Sequence, residues 1–169
     1  MAKKIPITFF APAEREPIAV VHRQARRVGR MRQTRTLLNA SLNYLFVLNA
    51  QRQIVLASEN VQELVPGKTL DQLVGLRPGE ALGCIHAQEC AGGCGTSRFC
   101  HQCGAVKVIL KGLAGSRDLQ ECHLNRLNDG RREVLDLQVL ATPLVYRGRR
   151  YTLLSMGHRR RTGGGSTSL

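Results

Sequence analysis

A short stretch in the middle of the chain, Leu82 to Gly104, constrains the fold most, because it concentrates side chains that bind metals. It holds five of the six cysteines and two of the five histidines. Cys100 and Cys103 are separated by two residues, a spacing that places two thiols on one tight turn. Tetrahedral metal sites commonly use such a pair. The segment therefore predicts a local structure organised by sulfur chemistry.

The remaining ligands of such a site can be chosen in two ways. Cys94 with Cys84 gives the spacing C-x9-C-x5-C-x2-C, and Cys94 with Cys90 gives C-x3-C-x5-C-x2-C. Neither is the spacing of a regular zinc ribbon. A zinc or iron–sulfur site therefore stands beside three other interpretations, namely buried apolar cysteines, disulfides, and thiols that respond to redox conditions without a metal. His86 and His101 are available to complete a mixed site.

Composition limits the classes of function. The length of 169 residues suits one domain with extensions, and the formal net charge of +13 makes anionic partners worth considering. Aromatic residues make up only 4% of the chain and tryptophan is absent, so platforms for stacking nucleic-acid bases are scarce. A basic nucleic-acid-binding regulator whose cysteines are purely structural is therefore the alternative interpretation.

The sequence lacks the motifs of common catalytic and targeting segments. It has no phosphate-cradling glycine loop, and the closely spaced pairs Cys84 with His86 and Cys100 with His101 are poorly placed to act as nucleophile and base. The N-terminus has no apolar run long enough for a signal peptide, and no stretch approaches the length of a membrane span. We therefore expect a cytoplasmic protein that is not an enzyme.

The pattern of apolar residues divides the chain into four segments. Residues 1–13 predict an extended lead-in, and residues 14–40 predict a basic amphipathic helix that is broken by a glycine near its middle. Residues 41–157 carry the folded core, with the cysteine-rich insert at 82–104. Residues 158–169 are basic and rich in glycine and serine, which predicts a disordered tail.

Five strand-like runs predict the sheet of the core. An Asp-Gly dipeptide separates the third run from the fourth, and this is one of the strongest signals for a tight hairpin. The first two runs are separated by a polar tetrapeptide and predict another hairpin. The runs are residues 44–48, 54–57, 121–127, 133–145 and 151–156.

Helices are predicted between the second and third strands. Ser58 and Thr69 are suitable N-caps for two short helices, and Pro78 suits the first turn of a helix that runs toward Ala87. A further helix over residues 106–113 begins close to Cys103, so its positive end would favour a thiolate there. The order of elements predicts an α+β fold, a five-stranded antiparallel sheet with helices on one face, preceded by the N-terminal helix.

The motifs GEALGC at 79–84, GCGTS at 93–97 and CHQCG at 100–104, together with this order of elements, resemble PAS sensory domains. They are similar in particular to a cysteine-bearing subgroup of bacterial signalling PAS proteins. The resemblance covers most of residues 9–157 and favours the longer of the two cysteine spacings over the one that uses Cys90. The positions that match the cysteines of the subgroup are Cys84, Cys94, Cys100 and Cys103.

The resemblance implies a sensory or regulatory module in bacterial signal transduction. It would respond to redox state or a small ligand through a four-cysteine zinc, iron–sulfur or thiol site. PAS pockets in other proteins hold heme or flavin, so these cofactors stay open as alternatives. The implied partner is a second copy of the chain or a signalling output protein, in preference to nucleic acid.

Overall fold

A five-stranded antiparallel sheet forms the centre of the computed structural model, which describes residues 6–159. The spatial order of its strands is β2-β1-β5-β4-β3, so the first hairpin lies beside the last strand. This architecture confirms the predicted α+β class. The strands are β1 (Tyr44–Leu48), β2 (Ile54–Ala57), β3 (Asp118–Asn128), β4 (Arg131–Tyr146) and β5 (Arg149–His158).

Two-residue turns join the three long strands. Asp129 and Gly130 lie between β3 and β4 with φ values of 48° and 76°, and Arg147 and Gly148 lie between β4 and β5 with φ values of 48° and 72°. Positive φ at both central residues defines the turn whose twist matches that of antiparallel strands. The hairpin predicted from the Asp-Gly dipeptide is therefore confirmed.

The helices are short except for the first and the last. The N-terminal helix is present and ends at Gly29, and Thr69 caps a short helix by accepting a hydrogen bond from the Gln72 amide, as predicted. Ser58 is not an N-cap, because its Oγ instead accepts a hydrogen bond from the Leu45 amide at 2.9 Å. The helices are α1 (Ile18–Gly29), α2 (Thr34–Asn39), α3 (Val61–Leu64), α4 (Leu70–Leu73), α5 (Pro78–Ala81) and α6 (Gly104–Leu113).

The prediction of one helix from Pro78 toward Ala87 is wrong. Helix α5 ends at Ala81, because Gly83 has a φ of +76°, which a continuing right-handed helix cannot contain. A Cβ atom at Gly83 would also lie 2.9 Å from the Leu127 carbonyl oxygen. Cys84 therefore lies on a turn packed against β3, and not on a helix.

Helices cover both faces of the sheet at the β1 and β2 end. Phe46 belongs to the main core between the sheet and helices α3, α5 and α6, whereas Leu45 packs with Val21 and Val28 of α1 on the other face. All five residues of β1 are buried for this reason. Along β3 buried and exposed residues alternate, because only one face of that strand is covered.

Neither end of the chain is fully described. Most of the predicted glycine- and serine-rich tail, residues 160–169, lies outside the described residues, as do residues 1–5 of the predicted lead-in. Among the helices of residues 6–159, none is both long enough and apolar enough to cross a membrane.

Candidate functional site

A cavity of about 550 Å³ lies between helix α6, strand β3 and the turns that carry the cysteines. All four cysteines predicted to act together line it, although they come from three separate turns of the chain. The rest of the wall is mainly apolar, with Ile85, Phe99, Val106, Ile109, Leu124 and Met156. The cysteines are Cys84, Cys94, Cys100 and Cys103.

Gly79 allows the first two of these cysteines to approach each other. A Cβ atom at Gly79 would lie 2.7 Å from the Sγ atom of Cys94 and 3.3 Å from the Cβ atom of Cys84. The Cys84 amide also donates a hydrogen bond to the Gly79 carbonyl at 2.8 Å. The first turn of α5 therefore fits between Cys84 and Cys94 only because it carries no side chain at this position.

Cys100 and Cys103 are held by a short 3₁₀ helix, Arg98–Gln102, that leads directly into α6. Ser97 caps this helix by accepting a hydrogen bond from the Phe99 amide. The Cys103 amide donates to the Cys100 carbonyl at 3.1 Å. Cys103 is thus the residue that precedes the first turn of α6, as the sequence predicted.

The environment of Cys103 favours a thiolate. The pKa of Cys103 is lowered, first by a hydrogen bond from Cys122 and then by the amides of Val106 and Ala105 at the start of α6, although burial opposes this. The pKa of Cys122 is raised correspondingly by its hydrogen bond to Cys103 and by burial. The predicted effect of the helix N-terminus is therefore present, but the neighbouring thiol has the larger influence.

The other three thiols of the cavity favour the protonated form. Burial raises the pKa of Cys84 and Cys100, and it raises the pKa of Cys94 to about 12. The nearby Cys103 thiolate adds to the effect at Cys94. A metal ion bound by these sulfurs would have to displace their protons, which makes metal affinity pH-dependent.

The sulfurs share a cavity but do not already form a metal cluster. Within residues 6–159 the structure has no group of three or more His, Cys, Asp or Glu side chains arranged to hold a metal ion. Four thiolates are a suitable donor set for zinc or an iron–sulfur cluster, in which zinc–sulfur distances are about 2.3 Å. The chemistry of the donors fits these groups, and the side chains would have to rotate within the cavity to converge.

The other candidate ligands differ in position. Cys90 does not line the cavity, and neither does His101, whose Nδ1 atom contacts the Arg98 carbonyl. His86 is part of the wall, but its Nδ1 atom is 2.7 Å from Glu89 Oε1. Of the two histidines suggested by the sequence, His86 is therefore the one adjacent to the four thiols.

The sequence analysis did not include Cys122 among the candidate site residues. Cys122 is 2% exposed on β3, and its Sγ atom lies 3.9 Å from that of Cys103. Every second residue around it on β3 is buried, including Leu124 and Arg126. The alternating pattern could have placed Cys122 on the inner face, but only the pairing of α6 with β3 brings it to Cys103.

A buried arginine connects the residues before α1, 6–17, which in the structure form the lead-in, to the cysteine-rich segment. Arg77 is 0% exposed and donates hydrogen bonds to the carbonyl of Glu14 at 2.7 Å and to that of Gly92 at 2.8 Å. Burial, followed by the nearby charges of Arg52 and Arg15, lowers the pKa of Arg77 to about 9, so it stays protonated at neutral pH. The cation thus fastens residues that precede α1 to the loop before Cys94.

The carboxylate of Glu80 lies beside Arg15 and Arg77. It accepts hydrogen bonds from Arg15 and from the backbone amides of Arg77 and Cys94, at 3.0 Å and 3.1 Å for the two amides. Burial alone would raise the pKa of Glu80, but these bonds outweigh it and lower the pKa below the ordinary value of 4.5. The folded protein therefore stabilises the charged form of Glu80.

The free energy of unfolding should consequently fall as the pH drops below about 4.5, because a carboxyl with a depressed folded-state pKa stabilises the fold only while it is ionised. In Glu80→Gln this part of the pH dependence should disappear, as measured by urea unfolding between pH 3 and pH 7. The exposed Glu59→Gln is the matched control. A Glu80→Gln variant with the wild-type pH dependence would show that Glu80 does not contribute in this way.

Known proteins match this chain by three-dimensional structure and not by sequence. No protein-family model and no curated protein matches the sequence. The Rhodobacter sphaeroides LOV protein is 17% identical, with a TM-score of 0.53, and the match covers 76% of this chain and 66% of that one. The PAS domain of the HTR-like protein from Haloarcula marismortui is 15% identical, with a TM-score of 0.50 and coverage of 81% and 98%.

A PAS domain from a two-component sensor histidine kinase is 11% identical, with a TM-score of 0.50 and coverage of 74% of this chain and 92% of that one. These similarities, together with the strand order, show that the chain has the PAS fold. The resemblance seen in the sequence is confirmed at the level of the fold. Membership of the cysteine-bearing subgroup stays a prediction.

Proposed function

We propose that this chain is a PAS-type sensory module in bacterial signal transduction, and that it responds to redox conditions or a small ligand through the four cysteines of its cavity. The observation that carries the proposal is that four cysteines from three separate turns line one cavity beside the sheet. The similarity to a PAS domain of a sensor histidine kinase supports a role in signalling. Fold alone does not establish function, so the site supplies the stronger argument.

In this proposal Cys84, Cys94, Cys100 and Cys103 hold a zinc ion or an iron–sulfur cluster. When bound, zinc would cross-link the turns around the cavity, and an iron–sulfur cluster would in addition make the site sensitive to oxidation. The position of Cys90 outside the cavity wall supports the longer of the two spacings considered from the sequence. The surrounding apolar side chains would shield such a centre from bulk water.

Buried positive charge beside the cysteines supports an anionic centre. Arg52 and Arg77 are 3% and 0% exposed, and both donate hydrogen bonds to the Cys94 carbonyl, at 3.4 Å and 3.3 Å. Arg15 lies close enough to influence both of them electrostatically, and its own side chain is paired with the carboxylate of Glu80. Four thiolates around a divalent ion carry two surplus negative charges, which would offset the excess positive charge of the arginines.

The same contacts suggest how a change at the cysteines reaches the surface. The Phe9 and Ala11 amides each donate to the cysteine-rich segment, at Thr96 and Gly95, with both distances 2.9 Å. Helix α1 begins shortly after this lead-in. Loss of order in the segment would therefore release the lead-in and alter how α1 packs on the sheet, which changes the surface offered to a second copy or an output protein.

Metal analysis tests the proposal directly. Protein purified without air should contain about one zinc ion or one iron–sulfur cluster per chain, measured as zinc, iron and acid-labile sulfide. Serine variants of each of the four cavity cysteines should lose most of this metal, because each removes one thiolate ligand. Cys90→Ser is the matched control and should retain it.

Two results would contradict the metal-binding form of the proposal. One is a wild-type protein that stays metal-free after anaerobic reconstitution with zinc and with iron and sulfide. The other is a Cys90→Ser variant that loses as much metal as Cys84→Ser. If the wild-type protein stays metal-free, its signal would be either oxidation of the thiols or a small ligand that binds in the cavity.

A further inference from the structure

Cys103 and Cys122 form a pair of thiols on opposite sides of one contact between α6 and β3. Their Sγ atoms are 3.9 Å apart and share a weak hydrogen bond. A disulfide requires about 2.0 Å, so closing the gap takes about 2 Å of movement, which side-chain rotation can supply. Cys103 lines the cavity, whereas Cys122 is 2% exposed behind it. One thiol of the pair is therefore accessible from the cavity and the other is protected.

The backbone holds this pair together independently of any ligand. A Cβ atom at Gly104 would overlap the carbonyl oxygen of Glu121, so the first turn of α6 lies directly on β3. Gly104 follows Cys103 in sequence, and Glu121 precedes Cys122. Cys103 and Cys122 therefore lie next to the two residues at which α6 and β3 come closest together. Thermal motion of either element changes the separation of the two cysteines little.

Cys103 also lies where a small molecule in the cavity can reach it, because it forms part of the cavity wall just before the first turn of α6. A few polar side chains, among them Gln102 and Asn125, and the other thiols line the cavity with it, and the cavity is large enough for a molecule of the size of hydrogen peroxide. Cys103 packs against both the apolar cluster that contains Cys100 and the main core that contains Cys122, and its Sγ atom lies 3.9 Å from that of Cys122.

We infer that Cys103 and Cys122 are a redox pair that closes to a disulfide when a peroxide enters the cavity. The Cys103 sulfur attacks one peroxide oxygen, the O–O bond breaks, and Cys103 becomes a sulfenic acid while the first water leaves. The Cys122 sulfur then attacks the Cys103 sulfur, the S–O bond breaks, the S–S bond forms and a second water leaves. Two thiols are oxidised to one disulfide, one hydrogen peroxide is reduced to two waters, and the two thiol protons end in those waters.

The disulfide would also control the proposed metal site, and this consequence rests on the proposed function. Cys103 in a disulfide is no longer a thiolate ligand, so an oxidised chain has only three of the four ligands. Formation of the disulfide itself needs no metal. The two ideas can therefore fail separately, since one concerns metal content and the other concerns which sulfurs become linked.

Peptide mapping of the whole chain tests the pair. Chelator-treated, metal-free protein is exposed to hydrogen peroxide, its remaining thiols are alkylated under denaturing conditions, and it is digested with trypsin. Cleavage after Lys107, Lys111 and Arg117 separates the two cysteines into different peptides, so a link between them appears as a new joined peptide that a reductant splits. We expect this joined peptide to be the main oxidation product, also in the variant Cys100→Ser.

Cys122→Ser provides the matched variant. It should form no joined peptide, and its Cys103 sulfenic acid should persist and be trapped by dimedone. Three results would overturn the inference: no oxidation of wild-type Cys103, a Cys122 that stays fully alkylatable after peroxide treatment, or a main product that links Cys103 to Cys84, Cys94 or Cys100. These readouts need no bound metal, so they do not depend on the outcome of the metal analysis.

Discussion

Replacing Arg77 with methionine should lower the free energy of unfolding by about 3 kcal/mol, because several carbonyl groups would lose their hydrogen-bond donor. Methionine has a similar length and keeps much of the packing, so the loss should come mainly from the missing hydrogen bonds. The side chain is completely buried, and a stability change of this size is readily measured by urea unfolding.

The number of carbonyl groups that depend on Arg77 explains the size of this effect. Its guanidinium donates to carbonyls in three separate parts of the chain: the turn after β1, the lead-in and the cysteine-rich segment. Without a donor each buried carbonyl costs about 1–3 kcal/mol, part of which water and local movement can recover. The partners with the shortest contacts are Gln51, Glu14 and Gly92, at 3.0, 2.7 and 2.8 Å.

Arg23→Met is the matched control, because Arg23 is exposed on α1. Its effect should be within about 0.5 kcal/mol. If Arg77→Met costs no more than Arg23→Met, the lead-in and the cysteine-rich segment must be held by their backbone hydrogen bonds alone. Proteolysis gives a second measurement, since cleavage near the lead-in should become faster in Arg77→Met under native conditions.

Gly104→Ala should lower the free energy of unfolding by about 2–3 kcal/mol, because the added methyl group would overlap the backbone of β3 at Glu121. A flexible side chain could move aside, but a carbonyl within a paired strand cannot move without disturbing its ladder. Helix α6 must therefore shift away from β3. Equilibrium unfolding by urea, followed by circular dichroism, measures the change.

The same substitution should reduce the peroxide-induced link between Cys103 and Cys122, because it separates the elements that carry them. Gly29→Ala is the control, since no atom lies within 4 Å of a Cβ at that position in α1. Its stability should be unchanged or raised by up to about 1 kcal/mol, as alanine favours helix over glycine. A Gly104→Ala variant as stable as Gly29→Ala would contradict the close contact of α6 with β3.

The parts of the fold that were predictable depend on local sequence signals. The Asp129-Gly130 turn and the strand-like run that follows it act over a few residues, and both were recognisable. The end of α5 was not, because Gly83 adopts positive φ where its backbone meets Leu127, far away in sequence. A contact of this kind leaves no local pattern in the chain.

In the candidate site, too, local features were predictable from the sequence and contacts between distant segments were not. The spacing of Cys100 and Cys103 indicated a shared turn, and the structure places both beside α6. The approach of Cys94 to Gly79 and that of Cys122 to Cys103 follow from packing between distant segments. Buried Arg77 was missed as well, because nothing near it in the sequence distinguishes it from the many exposed arginines.

The attachment of the lead-in to the cysteine-rich segment has a consequence for the newly made protein. Arg15 contacts the carbonyl of Gly92, which follows it by 77 residues. On the ribosome residues 6–17 are synthesised before the carbonyl groups on which they dock. They must therefore stay undocked until translation has passed the cysteines, whereas α1 can pack on the β1–β2 hairpin as soon as that hairpin has formed.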